Sequence, residues 1–310
     1  MNLDLITRSF WSRSTPIAKT VAIGCCVWAL QLGAAGHAVA AKHAASVYNG
    51  DPSSPDISGV WTLDRDIMNR PDYRRWLVDG KPIADGTDLS DGGVTLPYTS
   101  SYMAVWKHRV AMMRAGTPIA RDLNYCWPPS VVNEYLAGNG WIDTPYGVIS
   151  SNDFEITQTP GRVLIIFTTE SEVVRIYTDG RGHPKMTENQ HTVQGDTVGH
   201  WEGNTLVTDT VGIRKEGDLG LGLPHSGALH VVTRYTLTPD SHLDIMFHIT
   251  DPKALTKSVE LKLIYHRKPY GTDLAEFFCA ENNRDRPDAN GLLQFSGAPV
   301  KRPGWDLPKD

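Results

Sequence analysis

Two side chains near the middle of the chain have the types needed to hold and protonate a small organic acid. Arg175 and Tyr177 are two residues apart on a predicted strand, so they share one face of it. If this face lines a barrel, the guanidinium can hold a carboxylate and the phenol can donate a hydrogen bond to a ligand. The alternative is a surface arginine beside a half-buried tyrosine on a solvated strand.

A histidine and a carboxylate complete the predicted catalytic group. His225 is a candidate general base, and Asp209 lies in a strand-like run where an inward-facing carboxylate would need a partner. His225, Arg175 and Arg234 are the candidate partners. The alternative makes Asp209 part of a structural salt bridge and His225 an ordinary loop residue. His225-Ser226 also suggests a serine hydrolase, but the sequence has no G-x-S-x-G motif to support it.

Other polar and aromatic side chains in the same part of the chain are candidates for substrate binding. They are His183, His200, Trp201 and Arg234. The histidines lack the spacing of metal ligands, and the sequence has no zinc-protease, haem or phosphate-loop motif. We therefore predict neither a metal nor a cofactor. Any chemistry must then come from His, Arg, Tyr and carboxylate side chains.

The second half of the chain predicts a β fold. Short runs rich in β-branched and aromatic residues are separated by turn residues such as Asp179-Gly180. The predicted strands span 58–63, 154–157, 162–168, 172–178, 204–210, 229–237, 242–250 and 258–267. Consecutive strands with short links indicate a mainly β fold, either an antiparallel meander or a lipocalin-like barrel whose interior can hold a small ligand.

An N-terminal helical segment is predicted within this fold, as an insertion around residues 66–125. Ser100 or Ser101 can begin a helix with apolar residues at helical spacing, and Gly116 can end it. The predicted organisation is therefore a flexible segment over 41–57 and a single β-rich domain over 58–310.

The first forty residues form a candidate secretion signal. Three basic residues precede an apolar stretch over 21–35, and Ala38-Val39-Ala40 supplies small residues for cleavage. The alternative, a transmembrane anchor, needs roughly 20 apolar residues, and this stretch is shorter. We predict a signal peptide over 1–40, a periplasmic or secreted protein, and no membrane anchor after cleavage.

Charge and cysteine content narrow the possible partners and chemistry. The chain has a net charge of −5 and no basic stretch of the kind that binds nucleic acid, so we expect a small-molecule partner. Only Cys126 and Cys279 follow the signal. Two cysteines in an oxidising compartment favour a disulfide, and the alternative of a cysteine nucleophile has no Cys–His signature here.

Two stretches carry a resemblance to a known family. They are RIYTDGRGHP over 175–184 and WEGNTLV over 201–207, followed by Asp209-Thr210. They resemble a widespread family of exported, mostly uncharacterised β-rich bacterial proteins that is common in sphingomonads. The resemblance covers most of the chain after the signal, and the second stretch is its most specific part. The family usually has Asp where Asn204 stands, and a different loop where this chain has 126–130.

The resemblance implies export and a lipocalin-like fold. Some exported sphingomonad proteins break down lignin-derived aromatic compounds, in part by decarboxylation without a cofactor. We therefore predict a cofactor-independent acid–base enzyme, a lyase such as a decarboxylase, that acts on an aromatic or phenolic small molecule in the periplasm. The alternative is a non-catalytic periplasmic protein that binds a hydrophobic small ligand.

Overall fold

The computed structural model describes the greater part of the β-rich region. The described residues are 54–68, 76–83, 94–115, 129–136, 143–144, 147–148, 153–168, 171–220, 222–275 and 306–308. The predicted signal peptide and both cysteines of the predicted disulfide, Cys126 and Cys279, lie outside them. No helix formed by these residues has the length and apolar character needed to cross a membrane.

The described residues form strands β1 to β13 and helices α1 and α2. In chain order, the elements are β1 (Gly59–Leu63), α1 (Arg65–Met68), β2 (Trp76–Val78), β3 (Lys81–Pro82), α2 (Ser100–Arg114), β4 (Asp143–Thr144), β5 (Gly147–Val148), β6 (Phe154–Thr159), β7 (Arg162–Phe167), β8 (Val173–Tyr177), β9 (Asp196–Glu202), β10 (Thr205–Val211), β11 (His230–Leu237), β12 (His242–Thr250) and β13 (Val259–Arg267). Two short 3₁₀ turns, Asn133–Tyr135 and Glu188–Gln190, lie between them.

Nine of these strands close into a barrel. The neighbours run β1-β6-β7-β8-β9-β10-β11-β12-β13, and β13 pairs with β1 to complete the circle. β13 is long enough to serve two partners, because Tyr265 near its end lies opposite Leu63 of β1, whereas Leu261 lies opposite Trp76 of β2. The β2–β3 hairpin therefore extends from the barrel wall. The predicted mainly β fold is confirmed.

The prediction of a purely antiparallel sheet is wrong at one pair of strands. β8 and β9 run parallel, with Ile176 opposite Thr197 and Tyr177 opposite Val198. The connection over residues 178–195 is long enough to return the chain, as a parallel pair requires and a hairpin turn cannot do. β9 itself is missing from the predicted strands, because Gly199 and the polar residues around it interrupt the β pattern.

Helix α2 occupies the position where the sequence predicts one. Its buried side chains Tyr102, Val105, Trp106 and Val110 recur at helical spacing. Because α2 follows β1–β3 in the chain, it is an insertion between strands of the barrel. No helix precedes β1 among the described residues.

One aromatic side chain packs against much of the barrel wall from the inside. Tyr135, in the 3₁₀ turn Asn133–Tyr135, is fully buried. Its ring centroid lies 4.9 to 6.4 Å from those of five wall residues, Phe154, Phe167, Tyr235, Phe247 and Tyr265. Its hydroxyl shares a 2.9 Å hydrogen bond with that of Tyr235, and its carbonyl accepts one from Tyr265 at 3.2 Å. The turn thus links β6, β7, β11, β12 and β13, and these rings occupy the space between the strands.

Candidate acid–base site

Four alternating histidines and carboxylates form a hydrogen-bonded chain on the outside of the barrel. Oδ1 of Asp209 accepts hydrogen bonds from Nε2 of His230 at 2.9 Å and from Nε2 of His183 at 3.2 Å. The other ring nitrogen of His183, Nδ1, lies 2.7 Å from Oδ1 of Asp196. We call Asp196, His183, Asp209 and His230 the histidine–carboxylate chain.

Three adjacent strands and one connection bring this chain together. Asp196 begins β9, Asp209 lies in β10 and His230 begins β11. His183 comes from the long connection between β8 and β9. This connection is tied to the end of β10 by the backbone pair Thr192–Ile213 and by hydrogen bonds between Thr192 and the 212–214 segment. The parallel β8–β9 arrangement is therefore what places His183 against Asp209.

The exposure of these side chains suits reaction with a small molecule. Asp209 and His230 are 44% and 41% exposed, whereas His183 and Asp196 are 24% and 23% exposed. The chain therefore runs from solvent into partly desolvated surroundings, where its hydrogen bonds are stronger than in water. A neutral imidazole carries a single N–H, so His183 donates to both carboxylates at once only in its doubly protonated form.

Asp209 does not point into the barrel, which the sequence had left open. Its neighbours Thr208 and Thr210 face inward and are buried, so strand alternation places Asp209 on the outer face. Its partners are His183 and His230, rather than the predicted His225, Arg175 or Arg234.

Arg175 and Tyr177 also face outward, so the surface alternative for this pair is the correct one. Arg175 is exposed and bonds only weakly to the carbonyl of Val173, at 3.5 Å. Tyr177 is half-buried beneath the guanidinium of Arg181, which lies 4.0 Å from the ring centroid. The sequence reasoning did not single out Arg181 as a candidate.

Arg181 and its partner Asp179 form an ion pair close to the histidine–carboxylate chain. Its guanidinium binds both carboxylate oxygens of Asp179, and this ion pair raises the pKa of Arg181 and lowers that of Asp179. Its charge also interacts with Asp196, at one end of the chain. The ion-paired guanidinium of Arg181 therefore lies near the histidine–carboxylate chain, beside the phenol of Tyr177.

His225 lies in the protein interior, in surroundings unlike those of the histidine–carboxylate chain. It is fully buried, its Nδ1 lies 3.0 Å from the carbonyl oxygen of Ser226, and its Nε2 has no hydrogen-bond partner among the residues that the structure describes. Burial lowers the pKa of His225, which keeps the ring neutral. Nδ1–H donates a hydrogen bond to this carbonyl, so the lone pair of the neutral ring resides on Nε2.

The serine next to His225 is not arranged as a nucleophile. Its hydroxyl donates to Oδ1 of Asp251 at 2.6 Å, and its backbone N–H donates to the other oxygen of the same carboxylate at 2.7 Å. Since His225 binds the carbonyl of Ser226 and not its hydroxyl, it cannot accept the serine proton in this arrangement. The geometry does not support a serine hydrolase.

The remaining predicted binding residues lie at the opposite end of β9 and β10. Glu202 connects His200 at 3.1 Å with Arg234 at 2.8 Å, and the bond to Arg234, followed by that to His200, lowers the pKa of Glu202. Trp201 is half-buried and lines a cavity of about 150 Å³. Of the predicted binding residues, only His183 belongs to the chain.

A second histidine–carboxylate cluster has a structural role. Asp64 lies 3.1 Å from Nε2 of His242 and 3.8 Å from Nδ1 of His266, which face each other on β12 and β13. Its other oxygen accepts the backbone N–H of Ile67 at 2.9 Å at the start of α1. The carboxylate is 11% exposed, so it joins β1 and α1 to the barrel rather than facing solvent.

Sequence reasoning missed Asp196 and His230 as members of the site. His230 and Asp209 lie on the outer faces of neighbouring strands. Asp209 lies opposite Val232, so the pairing of β10 with β11 makes His230, two residues before Val232, its diagonal neighbour. Among the described residues, no group of three or more His, Cys, Asp or Glu side chains is placed to hold a metal ion.

Comparisons with known proteins do not identify a family for this chain. No protein-family model matches the chain, and no curated protein matches its sequence. The resemblance to an exported β-rich bacterial family therefore stays a prediction, and function has to be argued from the site.

Proposed function

We propose that the protein is a cofactor-independent acid–base enzyme with its reactive groups on the outer face of the barrel. The observation that carries this proposal is the state of His230. Asp209 holds its Nε2, no side chain in the described part of the chain binds its Nδ1, and the ring is 41% exposed. A histidine whose one nitrogen is fixed by a carboxylate presents a lone pair on the other, which is the arrangement of a general base.

The other members of the histidine–carboxylate chain can stabilise the proton that His230 abstracts. When Nδ1 of His230 takes up a proton, the positive ring is stabilised by Asp209. His183 lies on the other side of the same carboxylate and contacts Asp196 through its second nitrogen. Small proton shifts along these hydrogen bonds can therefore change the negative charge that Asp209 presents to His230.

We further propose that the reaction is that of a lyase, such as decarboxylation of an aromatic or phenolic acid in the periplasm. This finer proposal rests on the resemblance of the sequence. The reaction needs a base for a phenolic proton and an acid that returns a proton to carbon after CO₂ has left, and one histidine can serve in both steps. Arg181, exposed near Asp196, is a candidate to bind the substrate carboxylate in exchange for its ion pair with Asp179.

The alternative, a carrier with a hydrophobic ligand inside the barrel, has less support. Tyr135 and the five rings around it occupy the space that such a ligand would need. Transport within the barrel would require displacing a side chain that contacts five strands.

The decisive experiment is turnover by the purified protein. The full chain would be incubated with a panel of phenolic and other aromatic acids, and products and released CO₂ would be followed by mass spectrometry. Replacement of the base in His230→Gln is expected to lower kcat by about 100-fold or more. The matched control is His248→Gln, which changes an exposed histidine on the outer face of the neighbouring strand β12 and should leave kcat unchanged.

Two outcomes would contradict the proposal. Turnover by His230→Gln at the rate of the unchanged protein would remove His230 as the base. Failure of the unchanged protein to convert any compound in the panel would overturn the lyase activity on aromatic acids.

A further inference from the structure

An open groove runs along helix α2. Its volume is about 640 Å³, within the range of sites that bind small organic molecules. The helix residues that line it recur every three or four positions, so they lie on one face of α2. They include Met103, Trp106, Lys107, Val110, Ala111 and Arg114, and Thr95 adds to the lining from the segment before the helix. We call this feature the α2 groove.

The shape and the lining of the α2 groove indicate an elongated apolar ligand. Met103 and Arg114 are three helical turns apart, which is roughly 17 Å along the helix axis. Between them, Trp106 and Val110 are buried, whereas Met103 is partly exposed and Ala111 is exposed. A long groove with these side chains suits a linear alkyl chain better than a compact ring.

The charges on the α2 groove favour an anionic ligand. Lys107 and Arg114 are exposed along it, and no Asp or Glu is among the described residues that line it. Lys107 has no carboxylate within ion-pair distance in the described part of the chain. A lysine can lay its aliphatic stem along an apolar surface while its ammonium group binds a carboxylate. A ligand with an apolar chain and one carboxylate therefore matches the groove in both respects.

The same charges argue against a second copy of this chain as the occupant. In a symmetric dimer that joined the two grooves, Lys107 and Arg114 of both copies would come close together. Like charges brought together in this way disfavour association, whereas an anionic ligand is attracted to them.

We infer that the α2 groove is a binding site for a single-chain fatty acid. The alkyl chain lies along the apolar residues of the helix, and the carboxylate pairs with Lys107. None of the residues that line the groove belongs to the histidine–carboxylate chain, so the inference does not rest on the proposed reaction.

Isothermal titration calorimetry of the purified full chain with decanoate, kept below its micelle concentration, tests the inference. Decanol and decyltrimethylammonium have the same alkyl chain with a neutral and a positive head group, and they serve as comparisons. We expect saturable binding of one decanoate per chain, weaker binding of decanol, and the weakest binding for the cation. In Lys107→Gln, decanoate should bind about two- to fivefold more weakly, and decanol should bind as it does to the unchanged protein.

Two further variants locate the ligand on the helix. Ala111→Glu places a carboxylate inside the α2 groove and should weaken decanoate binding about tenfold or more. Ala104→Glu is the matched control, since it adds the same charge at an exposed position of α2 that does not line the groove, and binding should stay within about twofold. If circular dichroism shows that either variant fails to fold, Lys107→Gln still decides the matter.

Several results would overturn the inference. They are the absence of saturable decanoate binding, binding of decanol or decyltrimethylammonium as tight as that of decanoate, and equal effects of Ala111→Glu and Ala104→Glu. A dimer in analytical ultracentrifugation that Ala111→Glu dissociates would show that a second copy of the chain, rather than a fatty acid, occupies the groove.

Discussion

The two faces of the barrel wall carry different kinds of residues and do different work. Along β10, Thr208 and Thr210 face inward and are 2% and 1% exposed, whereas the side chain of Asp209 between them faces outward and is 44% exposed. The inner face is packed around Tyr135, and the outer face carries the histidine–carboxylate chain. In this barrel, the inner face determines the fold, and the outer face holds the groups suited to chemistry.

Two histidines that are close in the sequence show the same difference between a buried and an exposed position. His225 and His230 each have one ring nitrogen held by an oxygen and the other without a partner among the described residues. His225 is fully buried next to Ser226, whereas His230 is 41% exposed and bound to a carboxylate. The difference shows that a free lone pair indicates a base only where a substrate can reach it.

The largest effect is expected on the inner face. Tyr135→Ala removes a ring that contacts five strands and leaves a cavity, so the free energy of unfolding should fall by about 3–5 kcal/mol in urea denaturation. Tyr135→Phe, which keeps the ring and loses the hydrogen bond to Tyr235, is the control and should lose about 1 kcal/mol. Equal stability of Tyr135→Ala and the unchanged protein would mean that the packed interior does not support the barrel.

The parallel contact between β8 and β9 should be the next most sensitive position. In Gly199→Ala, the new methyl group meets Ile176 and a backbone carbonyl at 2.8 and 3.0 Å, and we expect a loss of about 1–3 kcal/mol. Gly182→Ala is the matched control, since its added Cβ would have nothing within 4 Å. The measurement is again urea denaturation, and equal effects of the two changes would contradict the close strand approach.

A pH-dependent effect should distinguish the buried histidine. Burial lowers the pKa of His225 from its ordinary value of 6.5. As the pH falls below about 6.5, the unfolded chain takes up a proton at this residue before the folded protein does, so the free energy of unfolding decreases. In His225→Asn this contribution is absent, and stability should vary less with pH below about 6.5.

The control for this pH dependence is Gly182→Ala, which replaces no titratable group and should leave the slope unchanged. Urea denaturation at several pH values between 5 and 8 measures the slopes. A His225→Asn variant with the slope of the unchanged protein would show that His225 does not titrate differently in the folded state.

The sequence predicted the β-rich fold well because hydrophobic alternation is strong in its long strands. β12 and β13, for example, alternate buried and more exposed residues along most of their length. The sequence did not predict β9. Its Gly199 is explained by the close approach of β8, and its polar Asp196 by the histidine–carboxylate chain on the outer face.

The candidate site was predicted only in part, for a geometric reason. Alternation shows which residues share a face, but it does not say which face of the strand points inward, so the sequence alone leaves the interior and the surface both open for Arg175, Tyr177 and Asp209. The pairing of Asp209 with His183 depends on a long connection between parallel strands, which local sequence patterns do not specify.

The smallest effect on stability, together with a large effect on activity, is expected on the outer face. Asp209→Asn keeps the shape of the side chain but removes the charge that holds His183 and His230. Because these contacts are partly exposed, the free energy of unfolding should change by less than about 1 kcal/mol. Turnover of any substrate found should still fall by about 100-fold, since His230 loses the carboxylate that orients it.

Asp244→Asn provides the matched control for this last prediction. Asp244 lies on the outer face of β12, is 32% exposed and pairs with Lys262 at 3.4 Å, so its replacement should cost as little stability as that of Asp209. It contacts no member of the histidine–carboxylate chain in the described structure, and kcat should be unchanged. Equal losses of turnover in the two variants would mean that general surface charge, rather than the hydrogen bond from His230 to Asp209, supports the reaction.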